Sequence, residues 1–164
     1  MKKLNKYVVG TAAFTGLLCG LWGGFSGDIG LSAWAGFAGC TAYFASGRSG
    51  IGGIMMTAVT TLIGVLYGWL MLNGAVEIGG SSPAFALTIG VLVMAIVLMG
   101  QIKWTAFVPG IFVGCYSFFA IENNDWKLLC VSLLAGVALG FLCDKGGSLV
   151  FAKWAPKKSA KARA

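Results

Sequence analysis

Cys40 and Cys115 are where a chemical reading of this chain starts, because each follows a glycine and leads into hydroxyl-bearing and aromatic residues. The first segment reads Gly39-Cys40-Thr41-Ala42-Tyr43-Phe44-Ala45 and the second Gly114-Cys115-Tyr116-Ser117-Phe118-Phe119-Ala120. Thiols, hydroxyls and rings at this spacing suit the wall of a narrow path for a small neutral solute. Pro109-Gly110, just upstream of the second segment, adds an expected kink and freed backbone carbonyls, which discontinuous membrane helices use to hold substrates. A plainer reading stands beside this one. Cys is a small apolar packing residue, and Ser or Thr in such surroundings bonds to its own backbone or to a neighbouring helix.

Other chemistries are excluded by what is missing. The chain has no His, and its five cysteines (Cys19, Cys40, Cys115, Cys130 and Cys143) lie inside apolar runs with no Cys-x-x-Cys pair. Zinc and disulfide frameworks need spacings that are not there. No apolar run carries paired acids, and no Gly-rich loop leads into Lys and Ser/Thr for a phosphate. Neither an enzyme, nor a cofactor, nor a metal site is expected.

The elements that position these residues follow from composition. The chain has 164 residues, 58% hydrophobic and 10% charged, with a mean hydropathy of +0.87. Soluble domains carry about 25% charged residues, so the fold class expected is all-α and membrane-embedded. Six apolar runs cover 7–25, 31–45, 51–72, 84–100, 104–120 and 126–143, joined by short connections. A ~30 Å hydrocarbon core takes about 20 helical residues, so six transmembrane helices are expected, the second being short. Twenty-six glycines suit helices packed backbone to backbone. Ala33-Trp34-Ala35 has the outline of a cleavage site and Phe37-Ala38-Gly39-Cys40 approaches a lipoprotein box. Apolar runs continue past both, so the first run is read as a retained span.

Charge orients the spans. With the N-terminus cytoplasmic, 11 of the 12 basic residues fall on the inner side (Lys2, Lys3, Lys6, Arg48, Lys103, Lys145, Lys153, Lys157, Lys158, Lys161 and Arg163). Only Lys127 falls outside, together with Asp28, Glu77, Glu122 and Asp125. This is the positive-inside pattern, with both termini cytoplasmic. The net charge of +7 is therefore read as membrane orientation and attraction to anionic lipid headgroups, not as nucleic-acid binding. The segment 146–154 is apolar but too short to span, and is expected along the inner interface, followed by a basic tail to residue 164.

The runs repeat. Residues 39–45 align with 114–120 at an offset of 75, and Gly64-Val65-Leu66-Tyr67-Gly68 with Gly136-Val137-Ala138-Leu139-Gly140 at an offset of 72. Ala12 and Gly16 pair more weakly with Ala86 and Gly90. Halves of about 7–72 and 84–145, each with three spans, would insert in opposite orientations and form a 3+3 inverted repeat in one membrane domain.

Trp34-Ala35-Gly36-Phe37, the 39–45 segment, Phe107-Val108-Pro109-Gly110 and Asp125-Trp126-Lys127 resemble the YcdZ-like family of bacterial inner-membrane proteins over most of the chain. That resemblance implies a bacterial cytoplasmic membrane and a compact multi-span fold. The family is one of unknown function, so no site residue can be carried over from it.

Together these readings give an expected channel or facilitator for a small neutral or weakly charged metabolite. The alternative is a non-transporting assembly or stress-response protein whose glycine faces are docking surfaces. A homo-oligomer, trimer or larger, is expected, with Gly16/Gly20 or Gly64/Gly68 near a subunit contact. Cys40 and Cys115 lie about 14–16 Å from the start of their runs at ~1.5 Å per residue, near the midplane from opposite sides. Gly39, Cys40, Thr41, Tyr43, Phe44, Pro109, Gly110, Gly114, Cys115, Tyr116, Ser117 and Phe118 are the candidate lining. The sharper form of the idea has Gly39/Cys40 packing against Gly114/Cys115 at a constriction.

Overall fold

A computed structural model describes residues 6–150. Seven of the inner-side lysines and arginines and the residues 151–164 of the expected tail lie outside that range. The six helices are α1 (Lys6–Phe25), α2 (Ala33–Ala45), α3 (Gly50–Glu77), α4 (Ser82–Met99), α5 (Val108–Ala120) and α6 (Trp126–Val150). Among the described residues there is no strand. Four helices, α1, α3, α4 and α6, are long and apolar enough to cross a membrane. The other two, α2 and α5, have 13 residues each, about 20 Å at ~1.5 Å per residue.

Local chemistry sets the breaks. Gly79 and Gly80 take positive φ (108° and 62°) where α3 ends, a conformation that costs glycine nothing. Asn123 and Asn124, also at positive φ, make the tight turn between α5 and α6. Asp125 then caps α6, its Oδ1 accepting the Lys127 and Leu128 N–H groups at 3.1 and 3.0 Å. Pro109 sits in the first turn of α5, where a missing N–H breaks no helical bond. It therefore starts the helix, and the expected mid-span kink is not formed; the fifth helix begins at Val108, not at 104. The sixth helix runs on to Val150, so 146–150 continues α6 instead of opening a separate interfacial segment.

Packing is dominated by two seams, α3 on α5 and α2 on α6. Both run parallel. A Cβ at Gly68 would lie 2.7 Å from Phe118 Cβ, and one at Gly64 would strike the Ile111 carbonyl. In the other seam a Cβ at Gly140 would lie 2.9 Å from Tyr43 Cβ, and one at Gly136 would strike the Gly36 carbonyl. α1 runs antiparallel to α6, with Thr11 beside Gly147 and Phe14 beside Gly146. Successive helices thus alternate in direction. One end of the bundle carries Lys6, Arg48, Lys103, Asp144 and Lys145; the other carries Asp28, Glu77, Glu122, Asp125 and Lys127. α1 and α4 are peripheral, with Gly10 the buried residue of α1 and Ala84 and Ile96 those of α4.

The contacts of the two seams correspond residue by residue. Gly39 abuts the Leu133 carbonyl and the Val137 amide, while Gly114 abuts the Thr61 carbonyl and the Val65 amide. Adding 75 to the α2 residue and subtracting 72 from the α6 residues converts the first contact into the second. The same offsets carry Gly136–Gly36 into Gly64–Ile111, and Gly140–Tyr43 into Gly68–Phe118.

Candidate functional site

The glycines expected at a constriction close the seams instead. A Cβ at Gly39 would strike the α6 backbone and one at Gly114 the α3 backbone, so each glycine lets a neighbouring helix in. Cys40 and Cys115 are equally buried, 6% exposed each, but belong to separate clusters. Cys115 Sγ lies 3.5 Å from Met71 Sδ, in a cluster with Ile96 and Ile111. Cys40 packs with Leu139 and Cys143, against Leu18, Cys19 and Trp22. Of the remaining candidates, Tyr43, Gly110, Ser117 and Phe118 are buried, while Thr41, Phe44, Pro109 and Tyr116 are exposed on the bundle. The buried threonines of α3 are occupied locally: Thr60 and Thr61 donate to the Met56 and Thr57 carbonyls, at 2.8 Å each.

What the bundle does open is a groove of about 590 Å³ between α1, α2 and α6, toward its basic end. Tyr7, Thr11, Thr15 and Cys19 line it from α1, Phe44 from α2, and Cys143 and Asp144 from α6. Of the lining expected from sequence, Phe44 is the member found here. Tyr7, Thr11, Thr15 and Cys19 lie within the first run and Cys143 closes the sixth without standing out there, while Asp144 falls just past the end of the sixth run. A clue is present all the same. Small residues at Gly136, Gly140, Cys143 and Gly147 continue one helical face past Asp144, and the last of them receives Thr11 of α1. Asp144 therefore lies within a helix, beside a groove, with more than a turn of α6 beyond it.

The groove has a defined floor and a defined deep end. The Tyr43 hydroxyl, on a side chain 1% exposed, donates to Asp144 Oδ2 at 3.2 Å and accepts the Gly50 N–H at 3.0 Å. This fixes the carboxylate to α2 and to the α2–α3 turn. Farther in, Cys19 packs against Cys40 and Cys143, and Thr15 lines the same stretch of the groove. Beyond it Trp22 packs against the Cys40, Leu139 and Cys143 cluster. Its indole N–H donates to the Ala33 carbonyl at 2.9 Å, and its ring occupies the space a side chain at Gly36 would need. From Tyr7 to Cys19 the groove spans about 18 Å of helix rise, a little over half the ~30 Å core. Among the described residues no group of three or more Cys, Asp or Glu is placed to hold a metal ion.

A second opening, of about 460 Å³, lies between α3 and α6 toward the acidic end. Its lining of Leu62, Val65, Leu66, Trp69, Trp126 and Cys130 is apolar and suits lipid chains. The Lys127 ammonium lies 5.6 Å from the Trp126 ring centre, an arrangement at home in a headgroup layer.

The position equivalent to the polar groove in the second half has different chemistry. At the offsets of the repeat, Cys143 and Asp144 correspond to Met71 and Leu72. Thr15 and Cys19 correspond, at the offset of 74 between Ala12 and Ala86, to Ile89 and Val93. The seam contacts correspond at these offsets, and Thr15, Cys19, Cys143 and Asp144 have apolar counterparts.

Comparison with known proteins agrees with this architecture. The chain is 33% identical over 150 residues to the inner membrane protein YcdZ of Escherichia coli (strain K12), covering 92% of this chain and 88% of that one. The YcdZ protein of Salmonella typhimurium is 32% identical over 136 residues, 83% of this chain and 84% of that one. The uncharacterized protein YahC of Escherichia coli is 28% identical over 147 residues, 84% of this chain and 88% of that one. No solved structure matches. These relatives and the apolar helices make this a multi-pass inner-membrane protein. A family described as "Protein of unknown function (DUF1097)" matches residues 12–148, and the chain belongs to that family.

Proposed function

We propose that the protein is a facilitator for a small neutral or weakly charged metabolite, with no catalytic step of its own, whose vestibule is the α1–α2–α6 groove. The observation that carries this is the one-sidedness of the polar lining. A duplicated scaffold needs its glycine seams twice, and both are present. It does not need Thr15, Cys19, Cys143 and Asp144, and the counterpart positions are apolar. Polar groups in a membrane interior are costly, so their retention in one half favours a use there.

The same proposal takes all six helices as spans and the halves as an inverted repeat. The reciprocal seams support it: α2 of one half packs on α6 of the other, and α5 on α3, as a twofold relation requires. The short α2 and α5 connect opposite ends of the bundle despite their length. By the positive-inside rule the end with Lys6, Arg48, Lys103 and Lys145 faces the cytoplasm, together with both termini. The vestibule opens there, and Trp22 would be the element that must move.

Assembly is part of the proposal. Gly64 and Gly68 are occupied inside the chain against α5, whereas Gly16, Gly20 and Gly24 on α1 have nothing within 4 Å of where a Cβ would stand. That spacing is the small-residue pattern of close membrane helix pairs, so α1 is the proposed contact of the homo-oligomer. It also gives the second reading its support: a free glycine face suits an assembly protein that carries no solute.

The test is solute flux in liposomes, with urea, short amides, amines and small acids, for the parent and for a Trp22→Ala variant that unblocks the deep end. Accelerated flux of at least one solute, raised further by Trp22→Ala, is expected. Rates equal to empty liposomes in both proteins would leave the assembly reading.

A further inference from the structure

The apolar recess between α3 and α6 has a floor built from the packed core and a charged mouth. Its floor is Val65, 4% exposed, which belongs to the core cluster of Phe118, Leu129 and Leu133; Cys130 packs on the same cluster. From Leu62 to Trp69 the recess follows about 10 Å of α3 at ~1.5 Å per residue, and its volume of about 460 Å³ is that of a site for a small organic group. Trp69 and Trp126 stand toward its acidic end, one on each helix. The Lys127 ammonium lies 5.6 Å from the centre of the Trp126 ring, and among the described residues it pairs with that ring and with no carboxylate. Lys127 is also the basic residue, among those described, at an end that carries Asp28, Glu77, Glu122 and Asp125. At the offset of 72, Trp69, Trp126 and Lys127 correspond to Phe141, Ile54 and Met55. The indoles and the cation therefore belong to this recess and not to the matching positions.

We propose that this recess is a binding site for one zwitterionic phospholipid with a primary ammonium head group, the phosphatidylethanolamine class. One acyl chain enters between the two indoles and lies on Val65 and Leu62, and the phosphate sits on the Lys127 ammonium. An apolar recess alone selects no lipid, because lipid tails are as apolar as leucine; selection must come from the mouth. There a phosphate meets a cation placed beside an indole at headgroup level, and the hydrogen bond between them is charge-assisted. Charge decides the rest of the head group. A net-anionic lipid would bring its charge to one lysine at an end otherwise lined with carboxylates. A zwitterion offers its phosphate to Lys127 and its ammonium to those acidic surroundings. The inference does not depend on the facilitator reading.

The experiment titrates lipid into the full chain in mild detergent and reads the first bound lipid by native mass spectrometry. The probes are phosphatidylethanolamine and phosphatidylglycerol carrying the same acyl chains. Phosphatidylethanolamine is expected to bind at least about threefold more tightly. Lys127→Ala should weaken it about threefold, the scale of an exposed ion pair. Leu66→Trp, which fills the recess, should weaken it about tenfold or more. Both side chains are exposed, so each change should leave the fold intact; if one variant does not fold, the other and the comparison of the two lipids decide. Phosphatidylglycerol bound as tightly as phosphatidylethanolamine, no binding of phosphatidylethanolamine, or unchanged affinity in either folded variant overturns the proposal.

Discussion

Substituting alanine at single glycines tests the seam argument directly, because the glycines divide into two groups by what an added Cβ would meet. At Gly68 an added Cβ would lie 2.7 Å from Phe118 Cβ, whereas ordinary contact begins near 3.4 Å. The helices must therefore part by about 0.7 Å at that point. The obstacle is a Cβ attached to a buried backbone, which cannot swing away. At Gly114 and Gly39 the obstacle is the carbonyl of Thr61 or Leu133, and the required displacement is larger. A gap of 0.5–1 Å forfeits about a quarter to a half of the local dispersion energy, and overpacking a tight interior costs roughly 1–3 kcal/mol. Gly68→Ala should thus cost about 2 kcal/mol, and Gly39→Ala or Gly114→Ala about 3 kcal/mol.

Gly16→Ala, Gly20→Ala and Gly90→Ala meet nothing within 4 Å and should leave the stability of the single chain unchanged or slightly raised, since alanine is the better helix former. Thermal unfolding in detergent, followed by the loss of the monodisperse peak, reads the difference. A further demand comes from the reciprocal seams: Gly39→Ala and Gly114→Ala should fall within about 1 kcal/mol of each other, because each displaces the equivalent pair of backbones. If both substitutions are silent, or if Gly16→Ala costs as much as Gly114→Ala, the description of how these helices pack is wrong.

Three other outcomes are expected. Gly20→Leu, bulky on the free face of α1, should reduce the proposed homo-oligomer to monomers in native-membrane mass measurement while sparing the monomer fold; a parent protein that is already monomeric, or an assembly unchanged by the substitution, refutes the α1 contact. Tyr43→Phe removes the donor to Asp144 and the acceptor of the Gly50 N–H, and should cost about 1–3 kcal/mol in thermal unfolding. Ser132→Ala removes the acceptor of the Ser32 N–H, a 2.9 Å bond at the start of α2, and should cost about 1 kcal/mol, with hydrogen exchange rising at residues 32–36.

How much of this is legible in the chain depends on the kind of signal. Apolar runs locate six helices because lipid exposure demands apolarity on nearly every face of peripheral helices such as α4. The matching seam contacts are legible because Gly64, Gly68, Gly136 and Gly140, where a Cβ would meet the neighbouring helix, share one spacing. Helix ends are less legible. Asn73 reads as the start of a connection, yet α3 continues to Glu77, with Asn73 bonding back to the Trp69 carbonyl at 2.9 Å. The groove proposed as the vestibule is less legible for a related reason. Gly39-Cys40 and Gly114-Cys115 mark the deepest packing, and packing signals in a glycine-rich bundle resemble those of a lined path. The groove arises instead from where α1 leans on α6, a long-range choice made by Gly146 and Gly147 accepting Phe14 and Thr11.

That separation of packing from polarity is the physical content of the architecture. The four helices of the two seams interlock through glycines whose neighbours are chiefly backbone atoms, and such contacts tolerate almost no change on either side. Function cannot be varied there without opening the seam. The peripheral helices carry no such constraint: α1 touches α6 through small residues, α4 touches the opposite seam through Thr88 against Gly74, and the faces around them are free to diverge. One is apolar, with Ile89 and Val93 at the counterpart positions and Met71 on the seam. The other holds Thr15 and Cys19 beside Cys143 and Asp144. The two seams thereby flank one polar recess, and the positions at the matching offsets are apolar. On the facilitator proposal, the residues that select the solute are those of α1 and the last turns of α6, where substitutions alter chemistry and leave the seams closed.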